Sequence, residues 1–168
     1  RFWHYLKGRH FDHVGDLVAR YRLMCATTGE QKDRVIIPLF QGGKLAAWTG
    51  RAIQFTIEAP RYLSSSGTAV KRLVFNEDEL WDGCKTLYVT EGPFDALKLD
   101  YYGEPFGVRA TCLFGVTMTL EQVYTLRQLR RYFKRVVVLL DRTAIEPAFD
   151  ALDWLQGPNV TLGALPEV

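Results

Sequence analysis

Apolar segments alternate with amphipathic segments through the second half of the chain. Four segments rich in β-forming residues are KTLYVTEG (85–92), RATCLFG (109–115), RVVVLLD (135–141) and NVTLGALP (159–166). Between them, PFDALKLDYYG (93–103), LEQVYTLRQLRRYF (120–133) and EPAFDALDWLQG (146–157) have helical spacing of apolar residues. This alternation predicts an α/β fold, a parallel sheet flanked by helices.

Residues at the segment ends support these helices. Pro93 suits a first helical turn, and Gly103 suits the end of that helix. Thr119 is a candidate N-cap for the second helix. Gly157 and Pro158 close the third.

The first half is less regular. FDHVGDLVARYRL (11–23) is predicted to be helical, and DRVIIPLF (33–40) and KLAAWTGRAIQF (44–55) to be strands joined by a hairpin at QGG (41–43). RYLSSSG (61–67) is predicted to be a polar loop that leads to KRLVFN (71–76). We therefore expect a small α+β subdomain with antiparallel strands at residues 1–82, followed by the α/β domain at residues 83–168.

Composition limits the classes of protein to consider. The 168 residues are 48% hydrophobic and 24% charged, an ordinary globular balance. The net charge of +2 is too small to indicate nucleic-acid binding by itself, although residues 1–82 carry 12 Lys and Arg against 9 Asp and Glu, and residues 83–168 carry 9 against 10. No apolar run reaches membrane-spanning length, and no signal-peptide core is present. The three cysteines form no metal-binding or disulfide pattern, so we expect a reducing cytoplasm.

Two carboxylates stand at predicted strand ends. Glu91 ends the first strand of the α/β domain, Asp141 ends the third, and Asp95 lies one helical turn beyond Glu91. Ligand sites in open α/β sheets form beyond the carboxyl ends of the strands, and oxygen ligands suit Mg²⁺ or Mn²⁺. Each acid taken singly is also explained as a solvated loop residue or a first-turn helix acid. The combination favours a divalent-metal site that binds phosphates.

Several segments resemble DnaG-type primases of the phage kind. LYVTEGPFDAL (87–97) resembles the first motif of the Toprim domain, which primases, topoisomerases and some nucleases share, and VVVLLDRTA (136–144) resembles its second motif, DxD. ATCLFGVTMT (110–119) resembles the strand and turn between these motifs in primases. Upstream, DRVIIPLF, GKLAAWTGRAI, RYLSSSGT and KRLVFN resemble the basic subdomain that precedes Toprim, so the likeness covers nearly the whole chain.

The resemblance implies an RNA polymerase core that makes short RNA primers on single-stranded DNA from ribonucleoside triphosphates with Mg²⁺ or Mn²⁺. It implies catalytic and metal-binding roles for Glu91, Asp95 and Asp141. It also implies a groove for template and nucleotide phosphates, whose basic residues are Arg34, Arg51, Arg61, Lys71 and Arg72. A replicative helicase and a zinc-binding module are the expected partners, and both lie outside this fragment. The implied location is the cytoplasm, that of the bacterial host for a phage protein.

Two departures from the family pattern keep other functions open. Thr143 stands where the DxD motif has its second aspartate. A further acidic cluster, which primases carry after the fourth strand, is expected beyond Val168, so the Toprim domain is predicted to be truncated. A non-catalytic, degenerate Toprim module that binds single-stranded DNA or a replication partner is one alternative, and a Toprim nuclease is another.

The basic run RQLRRYFKR (127–135) is interpreted mostly as the solvent face of the second helix, and Cys112 as a core residue.

Overall fold

The computed structural model describes residues 1–54, 60–66 and 70–163, and the chain divides into two compact units, residues 1–70 and 71–168. The first unit has helices α1 (Phe2–Gly8) and α2 (Val14–Tyr21). Its antiparallel sheet has the order β1-β2-β3-β4. The strands are β1 (Met24–Ala26), β2 (Arg34–Gln41), β3 (Lys44–Ala52) and β4 (Tyr62–Ser64).

The predicted hairpin between β2 and β3 is confirmed. Gln41 pairs with Lys44 across a two-residue turn. Gly42 and Gly43 have φ values of 60° and 74°. Two successive positive φ values are those of the hairpin turn that follows strand twist, and glycine adopts them without strain. The predicted end of the second strand, Phe55, lies outside the described residues.

The polar segment at residues 61–67 was wrongly predicted to be only a loop, because it contains β4. Its hydroxyl groups join it to β3: Ser64 Oγ donates to Thr49 Oγ1 at 3.0 Å, and Ser65 Oγ accepts from the Trp48 amide at 3.3 Å. A serine-rich edge strand carries little hydrophobic signal, so the sequence pattern missed it. The predicted helix at residues 11–23 is confirmed only for residues 14–21. Phe11 lies before the helix begins and is a buried core residue there.

The second unit is an α/β layer structure, as predicted. Its helices are α3 (Glu77–Leu80), α4 (Pro93–Gly103), α5 (Leu120–Leu129) and α6 (Ile145–Leu155). Its strands are β5 (Cys84–Thr90), β6 (Val108–Cys112), β7 (Phe133–Leu139) and β8 (Val160–Leu162). The sheet is parallel, with the order β6-β5-β7-β8.

Alternate residues of β5 and β7 build the core of this unit. Leu87, Val89, Val136 and Val138 lie on one face of the sheet and belong to the same buried cluster as apolar side chains of α5 and α6. Burying each such side chain contributes about 1.5–3 kcal/mol. Val74 and Leu80 belong to this cluster too, so residues 71–82, which the sequence assigned to the first part, pack with the second.

Several element ends differ from the sequence prediction. The helix expected to reach Phe133 ends at Leu129, residues 130–132 form a 3₁₀ turn, and Phe133 begins β7 as a buried residue. β6 ends at Cys112 because Phe114 and Gly115 both have positive φ. Cys112 is buried, as expected. The part of the predicted fourth strand beyond Gly163 lies outside the described residues.

No helix in the described ranges is long and apolar enough to cross a membrane.

Candidate active site

Glu91 and Asp141 follow strands that are neighbours in the sheet, which is the condition for the two acids to share one edge. Thr90 of β5 is in register with Leu139 of β7, so the loops after both strands leave the same edge of the sheet. The sheet order reverses here, because the chain passes from β5 to β6 on one side and returns to β7 on the other. Such a switch point opens a crevice at the carboxyl edge of an α/β sheet.

The three predicted carboxylates line one cavity of 580 Å³ at this switch point. Glu91 is half-buried, and Asp95 and Asp141 are exposed. Further lining residues are one lysine of α4, Lys98, and the aromatic and apolar residues Tyr88, Leu99, Tyr102, Val108 and Leu139. The volume lies in the range of small-molecule and cofactor sites. Lys98 was not singled out from the sequence, where nothing separates it from other helical lysines.

Gly92 explains the spacing between Glu91 and Asp95. It is the N-cap of α4, with Pro93 in the first helical position as predicted, and Asp95 is in the first turn. A Cβ atom at Gly92 would lie 3.3 Å from Asp95 Oδ2, so the carboxylate folds back over the glycine. The helix N-terminus stabilises a negative charge there. The motif therefore keeps Asp95 beside the residue that follows Glu91.

Buried hydroxyl groups fix the backbone beneath the carboxylates. Thr90 Oγ1 lies 3.1 Å from the carbonyl oxygens of both Gly92 and Thr111. Thr111 Oγ1 donates to the Phe75 carbonyl at 2.7 Å. The Gly115 amide donates to the Glu91 carbonyl at 3.1 Å and extends the β5–β6 pairing past the strand ends. Glu91 is thus presented by a backbone held on two sides.

The donor set fits a hard divalent cation in chemistry. Carboxylate oxygens are the ligands that Mg²⁺ and Mn²⁺ prefer. Within residues 1–54, 60–66 and 70–163, no three His, Cys, Asp or Glu side chains converge closely enough to hold a metal ion by themselves. Mg²⁺ commonly takes one or two carboxylates and completes its shell with water and substrate phosphate, so two of these acids suffice.

Thr143 lies in the tight turn that follows Asp141. The Ala144 amide donates to the Asp141 carbonyl at 2.8 Å, which places Arg142 and Thr143 at the corners of the turn. Thr143 is exposed, and Glu146 is in the first turn of α6. The second position of the DxD motif is thus an exposed hydroxyl on a turn, not a carboxylate.

Gln122 ties a basic segment to this edge of the sheet. It is fully buried, and its Nε2 atom donates to the carbonyls of Leu73 at 3.0 Å and Leu113 at 3.1 Å. Its Oε1 accepts from the Thr119 amide, and Thr119 caps α5 as predicted through a capping box. Thr119 Oγ1 also donates to the Lys71 carbonyl at 3.0 Å. Gln122 was not predicted as a site residue, although Thr followed three residues later by Gln is the sequence pattern of a capping box.

The same segment brings Lys71 over the β6–α5 loop. A Cβ atom at Gly115 would lie 3.3 Å from Lys71 Nζ. Because the Gly115 amide bonds to the Glu91 carbonyl, the ammonium group lies over the loop that adjoins Glu91. Arg72 is exposed and pairs with Glu121 at 3.4 Å. Of these two basic residues, Lys71 is the one placed against the carboxylate edge.

The three predicted arginines of the first unit do not share one surface. Arg34 is in register with Ala52, whereas Arg51 is in register with Val35 and Tyr62, so Arg34 and Arg51 point to opposite faces of the sheet. Both are buried. Arg34 Nη1 donates to the Gly50 carbonyl at 3.2 Å and the Arg61 carbonyl at 3.5 Å.

Arg51 stacks on Tyr62, with its Cζ 4.8 Å from the ring centroid. Arg61 is exposed, so it is the arginine of the three that is most accessible to solvent.

Cys112 has no part in nucleophilic chemistry at this edge. Burial raises the pKa of its thiol well above the usual value, and the Asp95 charge adds to the rise. A thiol that stays protonated is a poor nucleophile and a poor metal ligand. The buried cysteine nearest to the carboxylate edge is therefore a packing residue.

The comparisons with known proteins agree with this architecture. No protein-family model matches the chain, and no curated protein matches it in sequence. Solved structures match it closely. A DnaG catalytic core has a TM-score of 0.74 at 20% identity and covers 98% of this chain and 64% of that chain. The Escherichia coli primase catalytic core has a TM-score of 0.72 at 19% identity, over 98% of this chain and 64% of that one.

The primase fragment of the bacteriophage T7 primase-helicase has a TM-score of 0.69 at 16% identity and covers 90% of this chain and 61% of that chain. The chain thus spans a little under two thirds of the length of these structures. Its antiparallel sheet followed by a parallel sheet is the order expected from the sequence. The chain has the fold of the DnaG-type primase catalytic core, across both of its units.

Proposed function

We propose that this chain is the RNA polymerase core of a primase and makes short RNA primers on single-stranded DNA by metal-dependent nucleotidyl transfer. One observation carries the proposal: Glu91, Asp95 and Asp141 line one cavity at the switch point of a sheet whose fold is that of DnaG cores. One solved neighbour is a DnaG primase catalytic domain bound to single-stranded DNA. Another is a complex of the T7 lagging-strand DNA polymerase with primase domains of two gp4 subunits, bound to an RNA/DNA hybrid and dTTP.

The carboxylates have separable roles in this proposal. Glu91, half-buried on a fixed backbone, accepts the proton of the attacking ribose hydroxyl at a carboxylate oxygen. Asp141 and Asp95, both exposed at the cavity, hold Mg²⁺ or Mn²⁺ together with substrate phosphates. A bound divalent ion supplies charge neutralisation on the phosphates and a lower pKa for the hydroxyl.

Basic residues bind the phosphates of the template and of the nucleotides. Lys71 and Arg61 are exposed and make direct contacts, and Arg72 joins them by exchanging its pairing with Glu121. Arg34 and Arg51 are buried, so they act mainly by ordering β2, β3 and the start of β4 beneath Arg61. A replicative helicase and a zinc-binding module are the proposed partners, and the cytoplasm is the proposed location.

A second candidate function is a non-catalytic module that binds single-stranded DNA or a replication partner. Thr143 favours it, because a neutral hydroxyl replaces a charged ligand at an exposed turn. A Toprim nuclease is less favoured, because the first unit, as well as the Toprim-like unit, lies within the 98% of the chain that matches DnaG cores.

Primer synthesis with labelled ribonucleotides on single-stranded DNA tests the proposal. Asp141→Asn and Asp95→Asn should reduce product and raise the Mg²⁺ concentration needed for half-maximal activity, because each removes a charged oxygen ligand. Asp153→Asn, an exposed acid of α6, is the matched control and should leave both quantities unchanged. Absence of product from the unsubstituted chain with either metal, while single-stranded DNA still binds, would favour the non-catalytic module.

A further inference from the structure

We propose that the edge of the parallel sheet opposite the carboxylates is a second binding surface, which holds single-stranded nucleic acid. This surface, the amino-edge patch, consists of the aromatic residues Trp81, Phe106 and Tyr132 and the basic residues Lys85, Arg131 and Lys134. All six are exposed, and they lie at or just before the first residues of β5, β6 and β7.

The aromatic side chains form a row across three adjacent strands. Trp81, Phe106 and Tyr132 precede β5, β6 and β7, whose order in the sheet is β6-β5-β7. Their exposed fractions are 39%, 73% and 54%. Trp81 and Tyr132 pack edge to face, with ring centroids 5.7 Å apart. Three large aromatic side chains that are exposed to solvent along one edge of a sheet are typical of a binding surface.

The basic residues lie among these rings. Cys84 is in register with Phe133 and Thr86 with Arg135, so Lys85 and Lys134 stand opposite each other on neighbouring strands. Like charges in such positions destabilise a sheet unless an anion lies between them. Within the described residues, Lys85, Arg131 and Lys134 make no ion pair.

Acidic residues also lie near the patch, but those that form ion pairs do so with a different cation. Arg109 is shared by three carboxylates, those of Asp100 at 3.0 Å, Glu104 at 3.3 Å and Glu79 at 4.0 Å, and Asp82 is a further exposed acid next to Trp81. These acids balance the charge of the edge as a whole, so phosphate contacts depend on the three patch cations individually, which make no ion pair among the described residues. The basic run at residues 127–135 supplies two of them, and it was interpreted too simply as a helix face, because α5 ends at Leu129 and the rest of the run turns into β7.

The combination of exposed aromatic rings and cations indicates which class of ligand the patch binds. Exposed rings stack on unpaired bases, and cations bind the phosphates between those bases, which is how proteins bind single strands without sequence preference. The bases of a duplex are already stacked on one another and offer no free faces. An acidic protein segment would use the cations but leave the rings without partners. The patch thus fits single-stranded nucleic acid, and this inference does not depend on the proposed polymerase activity.

Fluorescence anisotropy with labelled oligo-dT, measured over a range of salt concentrations, tests this inference. Lys85→Ser with Lys134→Ser should lower the slope of log affinity against log salt by about 1.4, because each phosphate contact on a single strand contributes about 0.7. Phe106→Ser and Tyr132→Ala should each weaken binding by about fivefold or more through lost stacking. Phe106 is 73% exposed, so its substitution removes little packing.

Matched controls come from exposed residues elsewhere in the chain. Lys7→Ser with Lys44→Ser, and Tyr124→Ala with Phe149→Ala, remove the same chemistry from other surfaces and should change neither affinity nor slope. Ultraviolet crosslinking of the oligonucleotide should label Trp81 or Tyr132.

Equal affinities and slopes for the patch variants and the controls would overturn the inference. A second result would also overturn it: polyglutamate displaces the oligonucleotide, and this displacement is lost in the lysine variants but unchanged in the Phe106 and Tyr132 variants. That result would identify an acidic protein segment as the partner.

Discussion

Replacing Gln122 by alanine should destabilise the second unit and weaken nucleotide use together. Gln122 is fully buried, and its Nε2 atom serves two buried carbonyls, those of Leu73 and Leu113. Without it both carbonyls lose a buried partner, at a cost of about 1–3 kcal/mol each. The expected loss in the free energy of unfolding is therefore roughly 2–6 kcal/mol. The larger values are expected if no water enters the space that the side chain leaves, because both carbonyls then stay without a partner.

Activity should fall for a reason that stability alone does not supply. Gln122 and Thr119 anchor the segment that carries Lys71 to the β6–α5 loop, and this loop bonds to the Glu91 backbone. Loosening the segment displaces the ammonium group from the carboxylate edge. Under conditions in which the variant remains folded, we expect KM for ribonucleotides to rise several-fold more than kcat falls, because a phosphate contact is lost while Glu91 stays in place.

Urea unfolding and steady-state primer synthesis measure the two effects. Gln128→Ala is the matched control, because Gln128 is a half-buried glutamine on the same helix. It should cost less than about 1 kcal/mol. An equal and small loss of stability in both variants would refute the reasoning about buried carbonyls, and an unchanged KM in Gln122→Ala would refute the coupling to Lys71.

Three further predictions concern the carboxylate edge. Gly92→Ala should reduce primer synthesis by more than its loss of stability accounts for. Alanine is a poorer N-cap than glycine by about 1 kcal/mol, and a new Cβ would also lie 3.3 Å from Asp95 Oδ2 and displace that carboxylate. Urea unfolding and an activity assay, compared with Gly8→Ala, separate the two effects. Burial raises the pKa of Cys112 above 9.0, so above pH 9 the folded chain keeps a proton that the unfolded chain loses. The free energy of unfolding should therefore fall above pH 9 by about 1.4 kcal/mol per pH unit more than it does in Cys112→Ala. Plots of the free energy of unfolding against pH that run parallel for the two proteins would contradict this. Thr143→Asp should lower the Mg²⁺ concentration for half-maximal primer synthesis by restoring a charged ligand, and an unchanged or higher Mg²⁺ requirement would show that the turn does not face the metal.

The second unit was predictable because its local signals agree with one another. Apolar strands, a proline in the first helical turn and a threonine N-cap each indicate the same alternation, and the parallel order follows from it. The sequence indicated that Glu91 and Asp141 end strands of one sheet, and that they lie at one edge if those strands are neighbours. The strand order of the sheet meets this condition. Element ends were less so, since tertiary burial of Phe133 made it the start of a strand and not the end of a helix.

Features set by contacts distant in sequence were not predictable. Gln122 reaches Leu73 across 49 residues, and a single glutamine on a helix gives no sign of this. The burial of Arg34 and Arg51 on opposite faces depends on the register between β2 and β3, where a shift of one residue reverses the facing of each side chain. The amino-edge patch depends on strand order, which brings together three aromatic residues spread over more than 50 positions of the chain.

The most direct test of the central claim is primer synthesis on single-stranded DNA by the unsubstituted chain and by Glu91→Gln, with labelled ribonucleotides and Mg²⁺ or Mn²⁺. Glu30→Gln, an exposed glutamate of the first unit, is the control. The account predicts short RNA products from the unsubstituted chain and from Glu30→Gln, and a loss of at least about 100-fold in Glu91→Gln. Equal product from Glu91→Gln and the unsubstituted chain would contradict the claim that the carboxylate edge is the catalytic centre.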